Sequence, residues 1–373
     1  MNNSIRVGNL FGIPFYVNAS WFIVLGLMTF SYGTNLAAEF PTLGGASAAL
    51  LGLVAALLLF ASVLAHELGH SFVAIKQGIN VKSITLFLFG GLASLDKEAK
   101  TPGGAFWIAI AGPAVSILLF LLLSGIGASI ATSGPLGAMV GLLAYINLAL
   151  ALFNLIPGLP LDGGNVLKAI VWKITGKQYT GVIWASRVGQ ALGWTAIALG
   201  FLPALFFGQF PNFWTILIGW FLLQNAGVLA QDATLRSKLS EFTAEDALSN
   251  DTPIISEDLS LRELANEYII GKAQARRFFI VNEEGQLLGQ FKVDQMRAIP
   301  TSQWPTTQVK DLMQPIELSN TIDAERSLLD VVTLFEKEQI NELAVMRNGM
   351  LVGLIEKASI RQVLQRSAEA KPA

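Results

Sequence analysis

Four stretches of the chain, residues 7 to 38, 40 to 65, 101 to 161 and 188 to 231, contain no Asp, Glu, Lys or Arg. So many long uncharged runs exceed what the core of a soluble chain absorbs, and hydrocarbon is the solvent that accepts them. A spanning helix needs about 20 mostly apolar residues at about 1.5 Å rise each. On that ruler the chain is predicted to hold six spans, roughly at 15 to 33, 48 to 77, 105 to 128, 136 to 157, 188 to 207 and 212 to 230. The breaks fall at Gly, Pro and polar clusters such as "EFPTLGG", "TSGPLG" and "GQFPN". A composition of 53% hydrophobic and 14% charged residues, with a mean hydropathy of +0.53, agrees with a chain that lives partly in lipid.

The basic residues orient these spans. Up to residue 240 they are Arg6, Lys76, Lys82, Lys97, Lys100, Lys168, Lys173, Lys177, Arg187, Arg236 and Lys238. With both termini cytoplasmic, all of them fall on the cytoplasmic side and the outer loops hold none, as the positive-inside rule requires of short loops. An odd number of spans would scatter the same residues over both faces. The N-terminus, "MNNSIRVGNLFGIPFYV", lacks a basic segment followed by a short apolar core and a small-residue cleavage site, so no cleaved signal peptide is expected. The expectation is a multi-pass protein of the cell (inner) membrane with both termini in the cytoplasm. A net charge of -2 offers no electrostatic basis for nucleic-acid binding. The absence of cysteine restricts any metal site to nitrogen and oxygen ligands.

From Ser240 onward charges recur every few residues, and the chain repeats itself. In each copy an amphipathic helix (261 to 271, 326 to 338) precedes an apolar strand ("RRFFIV", "ELAVM"), a turn with Gly ("NEEG", "RNG") and a second strand ("QLLGQF", "MLVGLI"). A short connector, "PTSQWPTTQ", joins the copies. This order resembles a tandem pair of cystathionine-beta-synthase (CBS) domains, at 242–300 and 308–366, after a membrane domain at 1–235. The resemblance implies a cytoplasmic regulatory module, one that often binds adenosine nucleotides and can pair into a homodimer. The family's nucleotide binders usually carry Thr or Ser three positions after the glycine of the second strand and Asp six positions after it. Following Gly289 and Gly353 this chain has Lys292 and Gln295, and Glu356 and Ser359. Adenosine-nucleotide binding and a plain dimerisation or docking role both stay open.

The only two histidines of the chain, His66 and His70, stand four apart on the second expected span. That spacing puts both imidazoles on one helix face, where their nitrogens can reach one metal at about 2.0–2.1 Å. "HELGH" fits the pattern H-E-x-x-H, in which two metal ligands flank a general base, here Glu67. The alternative is a structural histidine pair. Against it, an acidic residue near the centre of a spanning helix costs about 2.5–3.5 kcal/mol on insertion, and such residues generally mark function. Counted from Ala48, His66 lies about 27 Å along a helix crossing a core of about 30 Å, toward the cytoplasmic face. A catalytic zinc site usually takes three protein ligands. The carboxylates of the first 240 residues are Glu39, Glu67, Asp96, Glu98, Asp162 and Asp232. Only Asp162, in "FNLIPGLPLDGG" directly after the fourth span, is expected at both the right depth and the right side. It also reads as an ordinary turn aspartate. Pro157, Gly158 and Pro160 must break the helix there, and broken backbone at membrane depth is tolerated where it is buried or lines a wet cavity.

Residues 5 to about 230 resemble the site-2 protease family of intramembrane zinc metalloproteases. The likeness rests on "HELGH" and on "NLIPGLPLDG", which matches the family's N-x-x-P-x-x-P-L-D-G, with one span between them. It implies one Zn2+ per chain held by His66, His70 and Asp162, with Glu67 as general base. Asn154 would hold the substrate or stabilise the oxyanion. The Gly-Gly of "ITLFLFGGLASL" resembles the family's short membrane-embedded hairpin, here at 84 to 95, which could receive an unwound substrate as an added strand. "AGPAVS" resembles the family's A-G-P-x-x-N with Ser116 in place of Asn. The implied architecture is an α-helical polytopic membrane domain of about six spans, with that β-hairpin, followed by an α/β tandem CBS domain. The implied activity is cleavage of a peptide bond within a single-span membrane protein, of the anti-sigma-factor or membrane-tethered transcription factor type. Two rival readings are a CBS-regulated cation transporter using the His/Glu/His cluster as a transport site, and an inactive membrane receptor that kept the fold.

Overall fold

The computed structural model describes residues 4–88, 90–129, 134–249, 254–270, 277–315 and 321–369. Thr132 and Ser133 of one expected break, Phe89 of the expected hairpin, Gly271 of the first amphipathic helix and Arg276 of "RRFFIV" lie outside them. The chain divides into two compact units, Met1–Thr234 and Leu235–Ala373.

The first unit begins with two antiparallel strands, β1 (Ser4–Leu10) and β2 (Ile13–Asn18), joined by a tight turn at Phe11 and Gly12. Helix α1 (Ala19–Glu39) starts where the Asn18 side chain accepts the Ser20 N–H at 3.0 Å. The first span therefore begins four residues later than its hydropathy predicts, because the apolar residues of "IPFYVN" form a strand. Apolar content alone does not separate a short buried strand from a helix turn. Helix α2 (Gly45–Lys76) carries the two histidines. It is followed by strands β3 (Val81–Phe87) and β4 (Gly90–Leu95). β3 pairs with β4 antiparallel and with β2 in parallel, so the expected hairpin is half of a four-stranded sheet of order β1-β2-β3-β4. β4 is a free edge of that sheet.

Four more long helices follow: α3 (Pro102–Ser129), α4 (Pro135–Asn154), α6 (Gln178–Phe207) and α7 (Phe213–Leu239), with the shorter α5 (Asp162–Thr175) between α4 and α6. Among the described residues six helices are long and apolar enough to cross a membrane: α1, α2, α3, α4, α6 and α7. α6 starts ten residues before its expected span, so Arg187 sits within the helix, exposed and 6.0 Å from the ring of Trp184.

Lipid tails are as apolar as the side chains, so helix association in a membrane rests on close packing and interhelical hydrogen bonds. Small residues at the crossings provide the first. A methyl group on Gly52 of α2 would lie 2.6 Å from the Thr29 carbonyl oxygen of α1, and one on Gly193 of α6 would lie 2.8 Å from that of Gly219 in α7. The second appears between α2 and α4, where the fully buried Asn147 donates to Ser62 Oγ at 3.0 Å.

Among its described residues the second unit contains two three-stranded sheets of one topology. In the first, β5 (Ile254–Ser256) runs parallel to β6 (Arg277–Val281), which pairs antiparallel with β7 (Leu287–Lys292). In the second, β8 (Thr321–Asp323), β9 (Glu342–Arg347) and β10 (Met350–Glu356) repeat that pattern. Both hairpins turn at a glycine of positive φ, Gly285 at 77° and Gly349 at 83°, as tight turns between strands demand. α8 (Leu261–Leu264) continues in a looser turn to Ile269, whereas its counterpart α9 (Leu328–Glu338) is a regular helix; α10 (Lys357–Glu369) closes the chain. The two copies exchange their lead-in segments. Ala244 and Ala247, which precede the first sheet, are buried in the core of the second copy with Leu328, Val331 and Phe335. Val309, which precedes the second sheet, is buried in the core of the first with Leu261, Phe278 and Phe291. The backbone follows suit: Ser249 N–H donates to Leu354 O, and Gln314 N–H to Gln290 O, both at 2.8 Å.

Candidate metal centre

α2 and α3 cross beside the histidines. A methyl on Gly69 of α2 would lie 2.9 Å from the Ala111 carbonyl oxygen of α3, so this glycine sets how closely the helices approach. His66 is buried and His70 nearly so, and both lean against α3. His70 Nδ1 lies 2.6 Å from the Ile108 carbonyl oxygen, and His66 Nδ1 lies 2.9 Å from Ser116 Oγ. A carbonyl only accepts, so His70 must place its proton on Nδ1 and turn the lone pair of Nε2 inward.

Asp162 comes to this point from the helix that follows α4 in the chain. The sequence offers it as a turn residue; it is the first residue of α5, behind Leu161 at the N-cap. A carboxylate is favoured in the first turn of a helix, where backbone N–H groups are unpaired. The chain between α4 and α5 packs tightly against α5. A methyl on Gly163 or Gly164 would collide with backbone of residues 155 to 159, so the two glycines after Asp162 are required by close approach. Leu159 N–H donates to Ala185 O of α6 at 3.1 Å, which ties the broken segment to the next helix.

Three donor atoms thereby converge. Asp162 Oδ2 is 3.0 Å from His66 Nε2 and 3.3 Å from His70 Nε2, and the two Nε2 atoms are 3.2 Å apart. Ligands of a tetrahedral zinc at about 2.0–2.1 Å stand about 3.3 Å from one another, so the spacing fits such an ion. Gly112 of α3 leaves the room: a methyl there would press against both histidines, 2.6 Å from His66 Nε2. Two neutral imidazole lone pairs and a carboxylate facing one another repel unless a cation lies among them, and the donor set is nitrogen and oxygen only. No other cluster of three such groups is found among the described residues.

Glu67 is adjacent to these groups but turned toward the sheet. A methyl on Gly91 of β4 would collide with the Glu67 side chain, so the carboxylate lies against that strand. The Glu67 carbonyl oxygen accepts from the fully buried Ser71 hydroxyl at 2.8 Å. Asn154 ends α4, half-buried, and none of the described hydrogen bonds joins it to the three donors. Sequence reasoning singled out Ser116 as a departure from the family's A-G-P-x-x-N without giving it a role, and passed over Gly112. Gly112 and Ser116 lie four apart in "AGPAVS", on one face of that helix, and this spacing is the signal that marks them.

Comparison with known proteins places the chain in a family. The chain matches peptidase family M50 over residues 54–136 and 123–196, and the CBS domain over residues 309–366. It is 58% identical over 99% of its length, and 97% of the relative's, to a Synechocystis sp. protein that carries a provisional zinc metalloprotease name. It is 30% identical over its whole length, and 95% of the relative's, to Rip3 of Mycobacterium tuberculosis, which bears a name of the same kind. The solved Site-2 Protease from Methanocaldococcus jannaschii is 31% identical, with a TM-score of 0.44, over 61% of this chain and 95% of that one. The chain belongs to peptidase family M50, the site-2 proteases. It is a multi-pass membrane metalloprotease of that type with a CBS region behind it.

Proposed function

We propose that this protein cleaves a peptide bond within the transmembrane segment of a single-span membrane protein, using one zinc ion held by His66, His70 and Asp162. The observation that carries the reading is the convergence of Nε2, Nε2 and Oδ2 within 3.3 Å beside a helix long and apolar enough to cross a membrane. Zinc, when bound, supplies Lewis acidity that polarises a carbonyl and makes water acidic near neutral pH. Glu67 accepts a proton from the attacking water and delivers it to the leaving amine. Asn154, eight residues before Asp162, is assigned to the substrate backbone or the oxyanion, as a neutral donor whose amide strengthens its hydrogen bond as charge develops.

A helical substrate conceals its carbonyls in its own hydrogen bonds and must unwind first. β4 is the edge that offers it a partner, beside Glu67. An extended segment added to such an edge exchanges backbone hydrogen bonds with it. Asp96 N–H, one residue beyond the strand, donates to Asn80 O at 3.0 Å on the side of β3, so the N–H of Leu95 before it points to the open side. If Leu95→Pro left cleavage of an intact single-span protein unchanged, strand addition would drop out of the reading.

The positive-inside distribution of Lys and Arg supports an orientation with both termini and the CBS pair in the cytoplasm. The CBS pair is read as the regulatory module of the protease, working by a nucleotide or by self-association. The test of the activity is direct: count zinc in the purified protein and compare cleavage of a single-span substrate by the parent and Glu67→Gln. One zinc in each, with cleavage only by the parent, is the expected result. A parent without zinc, or a substituted protein that still cleaves, overturns it.

A further inference from the structure

The two histidines are supported unequally. His70 is oriented by a backbone carbonyl, that of Ile108, which no substitution at that position removes. His66 is oriented by one side chain, the hydroxyl of Ser116, 2.9 Å from its Nδ1. Both partners come from α3, eight residues apart in sequence and so about two turns apart on one face. Ser116 is fully buried, and the His66 side chain is 4% exposed, so water has little access to replace the hydroxyl.

The tautomer follows from the donor inventory. For Nε2 of His66 to hold a lone pair toward the other two donors, the ring proton must sit on Nδ1, and a proton there in a dry site needs an acceptor. Ser116 Oγ is the partner that His66 Nδ1 has among the described contacts. A hydroxyl is an ambiguous partner, because it can donate as well as accept. Here the lone pair required at Nε2 decides its role: Nδ1–H donates and Oγ accepts. Groups that fix the tautomer and ring angle of a metal-bound histidine commonly change metal affinity by about 10–100-fold when removed.

We infer that Ser116 is a positioning residue of the metal centre: its hydroxyl locks His66 in the Nδ1–H tautomer and aims Nε2 at the point shared with His70 and Asp162. The inference rests on the zinc reading above, and its test separates the two. The full chain in detergent is titrated with zinc against a chromophoric chelator, comparing the parent, Ser116→Ala, Ser116→Thr and Ser62→Ala. Ser62 is a buried serine of α2 that bonds Asn147 and not a histidine, so its loss reports on removing a buried, hydrogen-bonded hydroxyl that does not touch the donors. The expected result is a fall in zinc affinity of about 10–100-fold for Ser116→Ala, with Ser116→Thr and Ser62→Ala near the parent. Should Ser116→Ala not fold, Ser116→Cys is used instead, as a residue of similar size that accepts hydrogen bonds weakly, with the same loss expected. Zinc affinity in the alanine or cysteine protein equal to the parent's overturns the role of Ser116 and leaves the zinc reading standing. Equal loss in the alanine and threonine proteins also overturns it, since the hydroxyl would then not matter. A parent that binds no zinc overturns both.

Discussion

The two units of this protein treat polar residues in opposite ways. In the membrane unit the residues that matter are buried and polar, drawn from α2, α3 and α5, and brought together by glycines that let backbones touch. In the C-terminal unit the interior is apolar, with Phe278, Phe291, Leu261, Leu328 and Ile355 all but inaccessible. There the polar residues at the positions where related domains bind nucleotides are engaged locally. Gln295 Oε1 accepts the Lys292 N–H at 2.7 Å while its amide donates to Leu312 O at 2.9 Å, and Ser359 Oγ accepts the Glu356 N–H at 3.2 Å. In a medium where an unpaired polar group is costly, a polar cluster carries information about function. Where water is near, the same residue types are free to cap and turn the chain.

The contrast yields graded expectations. The largest effect separates chemistry from stability: Glu67→Gln is expected to slow cleavage by about 10²–10⁴-fold while zinc content and thermal unfolding stay at the parent's values. A drop in zinc content would instead mark Glu67 as part of the ion's cage. The converse belongs to the other unit. Phe279 is buried between the two copies with Ala344 and Leu354, so Phe279→Ala is expected to cost about 3–5 kcal/mol there. Hydrogen exchange over residues 277 to 281 should accelerate accordingly, with zinc affinity unchanged.

Gly112→Ala tests both properties at one point, because the added methyl enters the space between the histidines. Overpacking of this kind costs about 1–3 kcal/mol, and zinc affinity is expected to fall with it. Retained affinity would show that the histidines yield without losing their geometry. The smallest effect is that of Gln295→Ala, which removes a cap-like contact and should cost about 0.5–2 kcal/mol, seen as faster exchange at residues 293 to 298. Adenosine monophosphate raising the melting temperature of the parent and not of that variant would turn the contrast around, since Gln295 would then serve a ligand.

Much of this organisation was legible in the sequence for physical reasons. Uncharged runs reveal spans because lipid forbids charge, and the six helices fall where hydropathy places them to within a few residues, except at α1, at the start of α6 and at the end of α7, which runs to Leu239. The pairing of His66 with His70 is a matter of helical period, and Asp162 stood out by elimination among few carboxylates. The strands β1 and β2 were not legible, since "IPFYVN" is as apolar as the span that follows and only pairing with β3 distinguishes it. α5 was hidden by "PGLPLDGG", whose prolines and glycines signal a break. The two glycines tolerate the close approach of residues 155 to 159, a tertiary fact without local trace. The role of Ser116 needed the partner helix in view.

The exchanged lead-in segments set an order of events during synthesis. Ala244 leaves the ribosome early but belongs to a core completed by Val345, Ile355 and Ile360. Chains grow at about 5–20 residues per second, so the first copy waits several seconds or more for the second before its own lead-in can be buried. A chain cut short between the copies would have a finished membrane part and a C-terminal part that cannot close.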